Sequence, residues 1–206
     1  INRPISKTIT RGVLLFGATP NAMTLVTLLV GLAAAGFNLT STPAGTVWGA
    51  LCFVLASILD GCDGEIARLK FQHSHRGEWF DSISDNIVNV FYFATLGVAL
   101  GVQQSQPSWW ILASLGFFAS WLSLVIIYRR MWKAGRGTPL AISFSFLSSE
   151  GKPRGPFGRS LYYLRMIARR DLYAFLAPLF VVIGLAEVAF VIATLVQSIL
   201  FAVVYA

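Results

Sequence analysis

The chain has 206 residues, of which 56% are hydrophobic and only 12% are charged, about half the charged share of an ordinary soluble domain. Sixteen Lys and Arg residues against nine Asp and Glu give a net charge of +7, but long stretches carry no charge at all. This composition excludes a water-soluble globular protein, and two cysteines are too few for a disulfide scaffold. We therefore predict an all-α integral membrane protein formed by a single domain over residues 1–206.

One surface helix and six membrane spans are predicted from the spacing of charges and turns. The basic segment 1–19 is expected to form a helix on the cytoplasmic membrane face. No residue between Arg11 and Asp60 is charged, and the polar loop 38–45 with its Pro and Gly divides this stretch into two spans. Residues 86–128 are again uncharged, with a turn at 101–108, and 172–206 fit two short spans or one span plus a surface helix. The predicted spans are residues 21–38, 46–70, 80–101, 108–129, 171–186 and 188–206.

The basic residues predict the orientation of the bundle. Three lie in residues 1–11, three in 68–76 and ten in 129–170. An even number of spans separates these groups, so all of them face one side, and the positive-inside rule makes that side the cytoplasm. We therefore expect a plasma or inner membrane protein whose charged face is cytoplasmic and contacts the bilayer, with no nucleic acid as partner.

Residues 60–85 contain six of the nine acidic residues at the junction of the second and third spans. Asp60 and Asp63 at i, i+3 share one helix face, and so do Asp81 and Asp85 at i, i+4. Two neighbouring helices can therefore direct four carboxylates at one point. Such oxygen ligands suit one or two hard divalent cations, Mg²⁺ or Mn²⁺.

Small residues beside these aspartates leave room for a ligand. Gly64, Ala67 and Gly77 remove side-chain bulk from one side of each acidic helix, although each could also serve helix packing alone. Arg68 offers a planar fork for phosphate and Ser74 a hydroxyl. Together with metal ions, these residues predict a site for a nucleotide diphosphate.

A plainer interpretation of the same segment is an acidic helix end whose charge is neutralised by Arg68, Lys70 and Arg76. Glu65 and Glu78 do not follow the spacing of the aspartates. We interpret both as surface or helix-end charges.

The pattern Asp60-x2-Asp63-Gly64-x2-Ala67-Arg68-x8-Gly77-x3-Asp81-x3-Asp85 resembles the complete signature of the CDP-alcohol phosphotransferases. Residues 19–24, TPNAMT, are similar to the Pro-Asn-x-x-Thr of that family. The resemblance implies transfer of a substituted phosphoryl group from a CDP-linked donor to an alcohol, release of CMP, two divalent metal ions and a homodimer.

The resemblance also implies roles for individual residues. Asp60, Asp63 and Asp81 would be metal ligands, while Asp85 would bind the second ion and act as general base. The donor nucleotide would be bound by seven residues, namely Asn21, Thr24, Asp60, Gly64, Arg68, Ser74 and Gly77.

Basic residues after the fourth span and before the fifth predict an acceptor alcohol that itself carries phosphate. The alternative is that they rest on anionic lipid headgroups. The predicted acceptor-binding residues are Arg129, Arg130, Lys133, Arg136, Arg169 and Arg170.

Within the family, residues 1–6, 59–70 and 168–171 look most like the di-myo-inositol-phosphate phosphate synthase branch. That resemblance implies CDP-inositol as donor, inositol 1-phosphate as acceptor, and a fused or partner cytidylyltransferase domain. Because the chain begins at Ile1 without a methionine, we expect it to be a fragment of a longer one. A phospholipid synthase that uses CDP-diacylglycerol, such as a phosphatidylinositol-phosphate synthase, is the alternative within the family.

Two other classes of membrane protein also use clustered carboxylates. An intramembrane prenyltransferase also binds diphosphate through metal-bridging aspartates, but its motifs lack the pattern of Gly64, Ala67, Arg68 and Gly77. A cation transporter would bind metal without nucleotide and needs a pathway across the bilayer. The predicted charge lies at one membrane face, which disfavours the transporter.

Overall fold

The computed structural model describes residues 3–15, 17–72, 74–134 and 170–205, and all regular structure within these ranges is α-helical. The helices are α1 (Arg3–Leu15), α2 (Pro20–Leu39), α3 (Pro43–Leu69), α4 (His75–Gln104), α5 (Pro107–Ala134), α6 (Arg170–Val182) and α7 (Ala186–Tyr205). Four of them, α2 to α5, are long and apolar enough to cross a membrane. The all-helical fold with four candidate membrane spans is therefore confirmed, whereas six spans and a surface position for α1 stay predictions.

Helices α2, α3 and α4 begin at hydroxyl side chains that cap their first turns. Thr19 precedes Pro20, and Thr42 precedes Pro43; each threonine side chain accepts a hydrogen bond from a backbone N–H of the first turn. Ser74 caps α4 by accepting a 3.0 Å hydrogen bond from the backbone nitrogen of Gly77. Ser74, which was predicted to bind the donor, is thus also a helix cap.

Two turns are shorter than the sequence predicted. Residues 40–42 join α2 to α3 in place of 38–45, and residues 105–106 join α4 to α5 in place of 101–108. Proline is tolerated in the first turn of a helix, so Pro43 and Pro107 start helices where composition alone indicated a loop. Ser105 ends α4 in the left-handed conformation, with φ of 54°.

The bundle core collects buried residues from each of the helices α2 to α7, and α4 contributes the largest number. The rings of Phe53 and Tyr92 stack with centroids 4.0 Å apart, and both side chains are buried. In the described residues, α2 packs on α3 and α4, α5 packs on α4 and α7, and α6 packs on α3 and α7. Helix α1 packs against α3.

Charged residues of the described helices collect at one end of this bundle. Side-chain contacts place the start of α2, the end of α3 and the start of α4 together, as well as the end of α5. Glu187 is the exception, because it accepts a hydrogen bond from Gln104 at the opposite end. Glu187 lies in the first turn of α7, next to the turn between α6 and α7.

Helices α2 and α3 approach closely at Gly49. A Cβ atom at this position would lie 2.5 Å from the Oδ1 of Asn38 and 2.8 Å from the carbonyl oxygen of Ala34. Asn38 is fully buried and donates to the Tyr92 carbonyl oxygen at 3.2 Å, so it has little freedom to move. The close contact therefore depends on glycine.

We expect Gly49→Ala to destabilise the protein by about 1–3 kcal/mol through overpacking. The matched control is Gly36→Ala, because a Cβ atom there meets nothing within 4 Å. Both changes share the gain in helix propensity, which cancels in the comparison. Melting temperatures in detergent measure the effect, and equal values for the two variants would contradict the packing argument.

Candidate active site

Three aspartates from two helices meet near the charged end of the bundle. Asp60 and Asp63 lie on α3 and Asp81 lies on α4, and one carboxylate oxygen of each is within 4.8 Å of the others. Two ligands of a single Mg²⁺ ion, each bound at about 2.1 Å, lie roughly 3–4 Å apart. A small adjustment of the side chains would therefore let all three aspartates bind one ion.

Asp63 is buried and held by two hydrogen bonds. The Thr24 hydroxyl of α2 donates to its Oδ2 at 2.7 Å, and the backbone nitrogen of Gly64 donates to its Oδ1 at 2.5 Å. Thr24 itself is buried. These contacts orient the Asp63 carboxylate and link helix α2 to the acidic cluster.

The surroundings of the Asp81 carboxylate indicate whether the cluster suits a cation. Its Oδ1 atom is buried and has no hydrogen-bond partner among the described residues. A buried carboxylate oxygen without a partner is costly unless an opposite charge satisfies it. The donor set and this unsatisfied oxygen together fit a hard divalent cation.

Asp85 stands apart from the three converging aspartates. It lies one turn after Asp81 on α4, is half-buried, and is outside the set whose oxygens meet within 4.8 Å. Nearby, the Tyr128 hydroxyl of α5 donates to the Ser82 carbonyl oxygen at 3.0 Å and accepts from Asn86 at 2.9 Å. These bonds fasten α5 to the turn of α4 that carries Asp85.

A pocket of about 100 Å³ opens beside Asp63 and Asp81. Most of the predicted donor-site residues line this pocket. The structure brings them together from α2, α3, α4 and the connection between α3 and α4. The complete lining is Pro20, Asn21, Thr24, Asp63, Gly64, Ala67, Gln72, Ser74, Gly77, Glu78 and Asp81.

Glycine keeps this pocket open at Gly77. A Cβ atom there would lie 2.9 Å from the Ser74 Oγ and 3.4 Å from the Asn21 Oδ1. Any larger side chain would therefore press on two of the polar groups that line the pocket. Gly77 therefore keeps the pocket wall free of side-chain bulk, which agrees with the room for a ligand that the sequence predicted.

Two lining residues, Gln72 and Glu78, belong to no motif that the sequence analysis singled out. Glu78 is exposed in the first turn of α4, as expected for a helix-end charge, but it also faces the pocket. Gln72 lies in the connection between α3 and α4. Glu78 directly follows Gly77 in the sequence, and this was the available signal for it. No spacing rule indicated Gln72.

The Arg68 and Asp60 side chains do not line this pocket. Arg68 is exposed and lines a neighbouring cavity, and its Nη2 is 3.9 Å from the place of a Cβ on Gly64. Asp60 belongs to the acidic cluster behind the pocket.

Glu65 is not a plain surface charge, so that interpretation was wrong. Its carboxylate accepts hydrogen bonds from Ser6 at 3.1 Å and from Thr10 at 2.9 Å, both on α1. The spacing within α3 indicates that Glu65 is away from the face that carries the aspartates. It cannot indicate that α1 packs on Glu65, because that is a contact between distant parts of the chain. Glu65 therefore anchors α1 to α3.

Lys70 holds the start of α2 beside the pocket. Its ammonium group donates to the carbonyl oxygens of Gly17 at 3.2 Å and Ala18 at 2.6 Å. Because these carbonyls directly precede Thr19 and Pro20, the contact fixes the entry into the helix that carries Asn21.

The predicted acceptor-binding residues are described only in part. Arg129 and Lys133 are exposed and Arg130 is half-buried in the last turns of α5. Arg136 and Arg169 lie outside the described residues, and Arg170 begins α6 without a described side chain.

Similarity to known proteins agrees with the geometry of this site. A bifunctional IPC transferase and DIPP synthase of Thermococcus kodakarensis is 37% identical over 120 residues, which cover 58% of this chain and 26% of that protein. A protein of the same name from Archaeoglobus fulgidus is 39% identical over 98 residues, which cover 48% and 19% of the two chains. A CDP-diacylglycerol-serine O-phosphatidyltransferase of Mycobacterium tuberculosis is 31% identical over 96 residues, covering 47% and 32%.

The chain thus spans about a quarter or less of the length of the first two relatives. Residues 17–205 match the family described as CDP-alcohol phosphatidyltransferase, so the match includes all the aspartates and the lining of the pocket. This confirms the family that the aspartate signature indicated. The chain belongs to the CDP-alcohol phosphatidyltransferase family.

Proposed function

We propose that this chain transfers a substituted phosphoryl group from a CDP-alcohol to an acceptor hydroxyl and releases CMP. The observation that carries the proposal is the convergence of Asp60, Asp63 and Asp81 beside a pocket walled by Gly64 and Gly77. Hard metal ligands next to a slot for a nucleotide suit phosphoryl transfer, whereas a cation pathway needs no such slot.

The three aspartates would hold one or two Mg²⁺ or Mn²⁺ ions, which when bound neutralise the charge of the diphosphate and improve CMP as a leaving group. Thr24 and the Gly64 backbone keep Asp63 oriented for this task. Asn21 and Ser74 offer polar groups to the nucleotide, and Arg68 offers its guanidinium to phosphate.

Asp85 is proposed as the general base. The acceptor hydroxyl needs a carboxylate within hydrogen-bond reach that takes its proton as the bond to phosphorus forms. Because Asp85 lies outside the set of three converging carboxylates, we expect it to be the aspartate least engaged by the metal ions. A second role as ligand of the second ion is compatible with its place one turn from Asp81.

CDP-inositol and inositol 1-phosphate are the proposed substrates, and di-myo-inositol-phosphate phosphate is the proposed product. The names of the Thermococcus and Archaeoglobus relatives support this choice. The basic residues Arg129, Arg130 and Lys133 offer charge to an acceptor phosphate. We propose a homodimer whose site faces the cytoplasm and which works with a fused or partner cytidylyltransferase.

A phospholipid synthase that uses CDP-diacylglycerol is the second candidate. The similarity to the Mycobacterium CDP-diacylglycerol-serine O-phosphatidyltransferase favours it. The two candidates share the donor nucleotide and the chemistry and differ in the group attached to the diphosphate.

Release of CMP by the purified protein with Mg²⁺ tests the proposal. CDP-inositol and CDP-diacylglycerol are each supplied with and without inositol 1-phosphate. CMP that appears from CDP-inositol only with acceptor supports the first candidate, and CMP from CDP-diacylglycerol supports the second. If neither donor yields CMP and no CDP compound binds with metal, the proposal fails and a cation transporter is the better interpretation.

Thr24→Val is expected to weaken Mn²⁺ binding roughly 10- to 100-fold, because it removes the partner that orients a metal ligand. Thr27→Val is the matched control, since Thr27 is also buried on α2 and its hydroxyl has no partner among the described residues. Isothermal titration with Mn²⁺ in detergent gives both affinities. Equal affinities for the two variants would remove Thr24 from the proposed site.

A further inference from the structure

A second cavity lies between α1 and α3, next to the proposed donor site. Its volume is about 500 Å³, within the roughly 300–1,000 Å³ range that ligand pockets occupy. None of the residues that line it also lines the donor pocket. The lining residues are Lys7, Thr10, Arg11, Glu65, Arg68 and Leu69.

This cavity carries an excess of positive charge. Lys7, Arg11 and Arg68 contribute three cations against the single carboxylate of Glu65. Both oxygens of Glu65 already accept hydrogen bonds, one from Ser6 and one from Thr10. The carboxylate therefore serves mainly to hold α1 in place.

The three cations have no ion-pair or hydrogen-bond partner in the part of the chain that the structure describes. Like charges around one cavity repel each other, and an anion in the cavity would offset that repulsion. Arginine guanidinium groups suit phosphate oxygens because their donors form a planar fork. The charge pattern thus favours a ligand that bears phosphate.

Exposed apolar side chains surround the same end of α1 and α3. Leu69 in the cavity wall is 62% exposed, and Leu15 at the end of α1 and Phe71 just after α3 are more exposed still. Cations beside exposed apolar side chains at the end of a membrane helix match the headgroup region of a bilayer. A phospholipid would satisfy both features at once.

We propose that the cavity formed by Lys7, Arg11 and Arg68 binds the phosphate of an anionic phospholipid headgroup. The site shares Arg68 with the proposed donor site, but lipid binding does not depend on the transfer reaction. Arg68 lies between the two sites, since its Nη2 approaches Gly64 in the donor pocket while its side chain lines this cavity.

Native mass spectrometry of the purified protein with added phosphatidylglycerol or phosphatidylcholine tests the proposal. We expect the wild-type protein to retain one phosphatidylglycerol molecule in preference to phosphatidylcholine. A basic residue near an anionic membrane surface contributes roughly a fivefold gain in affinity. Lys7→Gln combined with Arg11→Gln should therefore lower retention about 25-fold.

Arg76→Gln is the control, because Arg76 is an exposed cation at the start of α4 that lines neither cavity. Lys7→Arg combined with Arg11→Lys keeps the charges and should keep the lipid, which guards against a folding defect in the neutral variant. Equal retention of both lipids, equal losses in Arg76→Gln and the double variant, or unchanged retention in the double variant would overturn the proposal.

Inorganic phosphate distinguishes a lipid from a soluble ligand of the same chemistry. If millimolar phosphate leaves the bound phosphatidylglycerol in place, the headgroup is the ligand. If phosphate displaces it, and the displacement depends on Lys7 and Arg11, the cavity is a site for a soluble phosphate compound, which overturns the lipid assignment. If the wild-type protein retains the lipid but releases no CMP from either donor, that result counts against the proposed function and leaves the lipid site standing.

Discussion

Asp85→Asn is expected to lower the rate of CMP release by about 10²- to 10⁴-fold, the usual contribution of a general base. The substitution is isosteric but removes the carboxylate that we propose to accept the proton of the attacking hydroxyl. Because Asp85 lies outside the three converging carboxylates, affinity for the CDP-linked donor should change little. Steady-state CMP release and equilibrium binding of the donor measure the two effects separately.

Glu187→Gln is the control for this variant. This variant also changes a carboxylate into an amide, but at the opposite end of the bundle, where Glu187 contacts Gln104. Its CMP release should match that of the wild-type protein. A loss of donor binding in Asp85→Asn as large as its loss of turnover would contradict a role limited to proton transfer.

Asp63→Asn is expected to weaken metal-dependent nucleotide binding at least about 100-fold, which corresponds to roughly 2.7 kcal/mol. The variant loses one of the three charges that converge within 4.8 Å, while asparagine keeps an oxygen that can accept the hydrogen bond from Thr24. Turnover at low donor concentration should fall as well. Titration of CDP with and without Mg²⁺ isolates the part of binding that depends on metal.

The two variants together test the division of labour among the aspartates. Asp63→Asn should affect binding and turnover, and Asp85→Asn should affect turnover alone. If CDP binding in Asp63→Asn proves insensitive to Mg²⁺ but as tight as in the wild-type protein with Mg²⁺, Asp63 is not a metal ligand. Equal losses of both quantities in both variants would remove the distinction between ligand and base.

Helical spacing predicted the acidic cluster well because it is largely a local property. Residues three or four apart share a helix face, which places Asp60 with Asp63 on α3. The same spacing grouped Asp85 with Asp81, but the structure places Asp85 outside the converging set. Where two helices cross at an angle, successive turns of one helix lie at different distances from the other, so spacing alone cannot say which carboxylates meet.

Contacts between distant segments could not be predicted in the same way. Thr24 and Asp63 are 39 positions apart, and Thr10 and Glu65 are 55 positions apart. Resemblance to a family motif pointed to Thr24, but nothing in the sequence indicated that α1 packs on the face of α3 that carries Glu65. The second cavity follows from that packing, so it was absent from the sequence predictions.

By itself, the sequence determined that the protein is a helical membrane protein of this family with an acidic site between two spans. Uncharged stretches must be about 20 residues long to cross a bilayer, and fixed residue spacings define helix faces, so both can be recognised in one dimension. The tertiary structure decided which three aspartates converge, what lines the pocket and what holds α1. Those features depend on the relative positions of whole helices, which many distant contacts set together.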